Sequence, residues 1–156
     1  MSLVGALQQA LAAEHRAVYL LEYAGGRAAA YVGKGLTKRL YTLWRDHQEL
    51  RGWLEAAIAD LGAQPVAAEL TYSAPDVTTA RQARSVARDA EHRCLIDWLA
   101  VVAEADPASE LRTKAMSVYT ATALRELSFG AGPQALPGLR AASTAPGTVS
   151  PSPSSS

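Results

Sequence analysis

Four ionisable side chains fall where helical spacing calls for apolar ones. Glu14 lies seven residues after Leu7 and seven before Leu21, three after Leu11 and four before Val18. That spacing puts a carboxylate inside a stripe that should face a core. His47 sits four after Leu43 and three before Leu50. Glu91 sits four after Ala87, three before Cys94 and seven before Trp98. The fourth is Arg125, in the line Leu111, Ala115, Val118, Thr122, Arg125, Phe129; Tyr119 and Glu126 take its place if that face is rotated slightly. A lone charge is costly to bury, so such groups should pair. Two carboxylates, Arg125 and a protonated His47 sum to zero, which makes a self-consistent buried polar cluster. The alternative is that Glu14 or Glu91 tilts to the bundle edge and is solvated. No Ser/His/Asp or Cys/His spacing marks a catalytic nucleophile, so no catalytic residue is assigned.

Four helices must position these groups. The first runs from about Leu3 to about Tyr31, on the stripe Leu3, Leu7, Leu11, Val18, Leu21, with Gly25 and Gly26 as a kink or close-approach point. The second starts near Leu36 or Thr37 and ends at Gly62, a suitable C′ residue. The third starts after Pro75 with Asp76 as N-cap and reaches about Ala105. Asp106-Pro107 is a start signal for the fourth, which ends near Phe129 with Gly130 beyond it.

Loop lengths constrain the topology. The first and third connections are short, so each helix pair should form an antiparallel hairpin. A helix of roughly 26 residues is about 39 Å long, and the fourteen residues from Gly62 to Pro75 extend to about 46 Å. The second connection can therefore travel the whole bundle and leave the second and third helices parallel. An internal echo links the hairpins: Ala13-Glu14-His15-Arg16 recurs as Ala90-Glu91-His92-Arg93, mid-helix in each case.

Other residues read as support. His15 and His92 point about 100° away from their glutamates and are candidates to meet across the bundle, although a half-exposed helix boundary is the commoner placement. Arg81, Arg84 and Arg88 form a basic stripe, most simply a solvated face, and Arg88 can pair with Glu91 at i,i+3. Trp44, Trp53, Trp98, Tyr19, Tyr23, Tyr41 and Tyr119 are core or interface packing, with an aromatic-lined ligand pocket as the sharper reading. Tyr23 and Tyr31 suit a helix–helix dimer. Cys94 is inert apolar packing.

Composition excludes several partners. The 156 residues carry 15 Lys+Arg against 15 Asp+Glu, so the basic excess of a general nucleic-acid binder or a polybasic membrane-surface protein is absent. No run approaches a membrane span, the first residues make a poor secretory signal, and one cysteine suits a reducing compartment. A cytoplasmic protein with no membrane or nucleic-acid partner is expected. Residues 132–156 carry one charge, Arg140, and no aromatic residue, and read as a disordered Pro/Ser/Ala-rich tail on a domain spanning 1–131.

The pattern ALQQALAAEHRAVYLLEYAGGR, a His-bearing second helix, a Pro-containing crossover with Tyr72 and a third helix with a central Glu is similar to a ferritin-like family of unassigned function. The resemblance covers roughly residues 5–130 and implies an all-α, ferritin-like four-helix bundle. In di-iron members, two helices each supply a Glu and two supply Glu-x-x-His. Glu14 and Glu91 match the single-Glu positions and His47 the His of the second helix, but Trp44 stands at its Glu position and Thr122-x-x-Arg125 replaces the fourth-helix motif. The expectation is a non-enzymatic protein acting through homo-oligomerisation, most simply a dimer, or through a protein or small-ligand partner, with a degenerate metal site and no cofactor. The alternative is an oxidoreductase with an atypical iron or manganese site on Glu14, His47 and Glu91, with His15, His92, Tyr119 and Glu126 behind the ligands.

Overall fold

The computed structural model describes residues 1–134 and 137–139. Among them the regular structure is all helical: α1 Leu3–Tyr31, α2 Lys34–Asp60, α3 Ala80–Glu104 and α4 Glu110–Ser128. Apolar side chains at helical spacing, among them Leu7, Leu11, Leu21, Leu40, Leu54 and Ile58, form the core with Leu95 and Trp98. α1 and α3 form the central pair: α1 packs on α2 and α3, and α3 on α1 and α4. Helix α1 passes through Gly25 and Gly26 without a break.

Two helices start later than their strongest local signals. Pro75 and Asp76 precede an extended stretch whose Val77 is fully buried, and α3 is capped instead by Thr79. Its hydroxyl accepts from the Gln82 amide while the Gln82 side chain reaches back, a capping box. Asp106-Pro107 forms a turn, with the Asp106 carboxylate accepting from the Ala108 amide, and Ser109 caps α4. The C-termini follow local chemistry. Gly62 and Gly130 adopt φ +74° and +101°, and paired bonds such as Gly62 N–H to Ala59 and Ala63 N–H to Ile58 close the α2 end as a Schellman motif.

Terminal contacts set the helix directions. The α1 amino terminus lies 3.5 Å from the Glu104 carboxylate at the end of α3, so α1 and α3 are antiparallel. Arg39, early in α2, donates to Ser128 at the end of α4. The α2–α3 connection runs along α1. Gln8 donates to the Gln64 carbonyl (2.7 Å) and accepts from the Val66 amide (2.8 Å), and further along Tyr72 packs on Tyr19.

Most of residues 132–156, namely 135–136 and 140–156, lies outside the described residues, and so does the expectation of disorder there. The described part touches the bundle. The Tyr119 hydroxyl donates to the Pro137 carbonyl at 2.7 Å, and a side chain on Gly138 (φ +82°) would collide with Leu95.

Candidate functional site

Halfway along the bundle, α1, α2 and α3 each send one fully buried ionisable group inward: Glu14, His47 and Glu91. The seven-residue spacing of each with its apolar neighbours places it there. His47 donates from Nδ1 to Glu14 Oε2 at 2.6 Å, and its Nε2 lies 3.4 Å from Glu91 Oε1. From α4, Arg125 Nε donates to the same Glu91 oxygen at 2.8 Å, and its outer nitrogen donates to the Thr122 hydroxyl at 3.0 Å. Arg125 is the member that meets solvent, with its side chain 24% exposed. It lines two clefts of about 280 and 350 Å³ between α2 and α4.

Burial alone would push the His47 pKa down. The Glu14 charge and the hydrogen bonds to Cys94, Glu14 and Glu91 outweigh it, and the pKa stands well above 6.5. His47 is therefore an imidazolium at neutral pH, and the four charges cancel.

Two further residues belong to the cluster. The Trp98 indole N–H donates to Glu14 Oε1 at 2.7 Å, and Cys94 Sγ lies 4.0 Å from His47 Nδ1. Both share the buried face of Glu91, at i+3 and i+7, so their spacing carried the signal. Ligand atoms of Glu14, His47 and Cys94 all lie within 4.8 Å of one another. Burial pushes the Cys94 thiol up to about 12, aided by the Glu14 charge, so it stays protonated and poorly nucleophilic. In the native protein Cys94 should label with a thiol reagent orders of magnitude more slowly than a free peptide thiol, and rapidly in denaturant. Rapid native labelling would show that this part of the core opens.

The remaining residues singled out from the sequence sit elsewhere. His15 and His92 do not meet: His15 Nε2 donates to the Val66 carbonyl on the crossover, and His92 pairs with Glu126 at 2.9 Å. The residue after each glutamate turns away from the centre, so these histidines meet the crossover and α4 respectively. Tyr119 turns to Pro137. Arg88 engages Asp89 and Ser85 rather than Glu91, because Glu91 points inward. Trp44 is half-buried on the α1–α2 side, beside Gly25, Gly26 and Tyr41. Asp97, also buried, accepts from Arg93 at 3.0 Å; burial raises its pKa against the pull of that guanidinium.

The family described as Domain of unknown function (DUF4439) matches residues 6–141. The chain belongs to this family. The DUF4439 match covers α1 from residue 6, all of α2, α3 and α4, and every member of the buried cluster. The fold is similar to that of a conserved hypothetical protein, rv2844, from Mycobacterium tuberculosis, known from a crystal structure. The two are 25% identical, with a TM-score of 0.70, over 80% of this chain and 92% of that one. No curated protein matches this DUF4439 chain. No helix among the described residues is long and apolar enough to cross a membrane.

Proposed function

We propose that the chain is a ferritin-like bundle whose central site has become a charge-neutral polar cluster, and that its role is non-enzymatic. It acts in the cytoplasm through homo-oligomerisation or by binding a protein or small ligand. The observation that carries this reading is the placement of two cations, His47 and Arg125, directly on the two buried carboxylates. A dinuclear site of the ferritin-like kind needs about four carboxylates and two imidazoles. The residues here do not fit one. Trp44, Thr122 and Arg125 stand where three ligands belong, and the guanidinium already neutralises Glu91.

A second reading rests on the position of His47 between two buried carboxylates, 2.6 Å from Glu14 and 3.4 Å from Glu91, although the ligand atoms that come within 4.8 Å of one another are those of Glu14, His47 and Cys94. It is an oxidoreductase holding iron or manganese on Glu14, His47 and Glu91. Metal ligation requires deprotonated ligands, so His47 would have to give up its proton and Arg125 would have to leave Glu91. Anaerobic reconstitution with Fe(II) or Mn(II), followed by gel filtration and metal analysis, separates the two. The proposal expects well under one ion per chain. Stoichiometric metal that disappears in Glu14→Ala and Glu91→Ala would overturn it.

A further inference from the structure

Away from the central cluster, a cleft of about 620 Å³ lies between α1, α3 and the crossover, within the size range of small-molecule sites. Its roof is fixed in advance. Gln8 clamps the crossover at Gln64 and Val66, His15 holds the Val66 carbonyl, and Tyr72 packs on Tyr19 while its hydroxyl accepts from the Glu69 amide. Preorganisation of this kind lowers the cost of ordering a loop around a ligand.

The cleft's charges are unequally committed. Asp89 is occupied by Arg88 and Ser85. Arg16 makes no hydrogen bond or ion pair among the described residues. Arg93 commits its Nε to Asp97 and keeps both terminal nitrogens. Two guanidinium groups from facing helices thus line one cleft with donors to spare, the residue type that suits an oxyanion. On the crossover side Thr71 and Ser73 add exposed hydroxyls, and Glu69 adds an exposed carboxylate that can accept from hydroxyls but repels an anion, so the anionic end belongs at Arg16 and Arg93. The repeated Ala-Glu-His-Arg explains the arrangement. Glu and Arg two positions apart lie about 200° apart around a helix. Glu14 and Glu91 therefore enter the core while Arg16 and Arg93 line the cleft.

We propose that this cleft binds a small hydroxylated oxyanion, a sugar acid or sugar phosphate, with Arg16 and Arg93 on the anion and the crossover side chains on the hydroxyls. The proposal is independent of the central cluster. Calorimetric titration of the full chain with gluconate, glucose 6-phosphate, glucose and inorganic phosphate tests it. Gluconate or glucose 6-phosphate should saturate one site per chain, and which of them does so distinguishes the two sources. Glucose should not bind, and inorganic phosphate should bind at least tenfold more weakly. Arg16→Gln should weaken binding at least tenfold with an unchanged melting temperature. Ala12→Trp should abolish binding by filling the cleft. Arg93→Lys keeps a cation on buried Asp97 and should weaken binding by removing the planar fork. The proposal is overturned if neither probe binds, if inorganic phosphate binds equally well, or if Arg16→Gln binds like the wild type.

Discussion

His47→Leu should destabilise the fold by about 3–5 kcal/mol, the usual cost of leaving a buried charge without its partner. The imidazolium is the hub of the cluster. It lies 2.6 Å from Glu14 and 3.4 Å from Glu91, and all three are fully buried. Its loss leaves Glu14 with the Trp98 indole as a neutral donor, while Glu91 keeps Arg125. Against a typical total of about 5–15 kcal/mol, that loss should be plain in a urea titration. Removing both charges should be gentler. Glu14→Gln combined with His47→Gln should cost less than the sum of the two single changes, with a coupling of about 0.5–3 kcal/mol. Arg125→Met should cost less than His47→Leu, because the 24% exposed Arg125 position borders clefts through which water reaches its surroundings. A His47→Leu loss below about 1 kcal/mol, with no coupling, would show that these charges are not held as ion pairs.

The inward direction of Glu14, His47 and Glu91 was legible because each sits in phase with strong apolar neighbours over two turns. The buried line of α4 was legible in part: Ala115, Val118, Thr122 and Phe129 are buried, Leu111 is half-buried, and the buried charged residue is Glu126, the member of the slightly rotated face, while Arg125 is half-buried. Its charged member was harder to place, since Arg125 is long enough to touch Glu91 while part of it stays wet. What periodicity could not supply was the partner of each group. The apolar ring of Trp98 marks it as packing, yet its N–H must find an acceptor once buried, and Glu14 provides it. His15 and His92 carry the same neighbours in sequence but face a crossover and a helix respectively, a difference set by tertiary arrangement alone. The helix starts show a similar limit. Asp76 and Asp106 are both good caps locally, but burial of Val77 and the turn at Asp106 move the starts to Thr79 and Ser109.

The cluster should also leave a mark on the pH dependence of stability. His47 has a folded-state pKa well above 6.5, so in alkaline solution the folded chain keeps a proton that the unfolded chain releases. Its contribution is complete below about pH 6.5 and is lost as pH rises toward the folded value. The limiting slope is a fall of about 1.4 kcal/mol per pH unit. Glu14, Glu91 and Arg125 surround the imidazolium, and Cys94 adds a second proton of the same sign. Its folded pKa of about 12 exceeds the ordinary 9.0, so the thiol should steepen the fall above about pH 9. The rise of Asp97 above 3.8 and of Tyr119 above 10.0 act outside the range from pH 6.5 to 9.5. Denaturant titrations across that range should show the decline in wild type and in Cys94→Ser, and a much flatter profile in the Glu14→Gln/His47→Gln pair. A wild-type profile as flat as that of the double variant would mean that His47 is neutral in the folded protein. Charge cancellation at the centre of the bundle would then fail as the basis for its polar core.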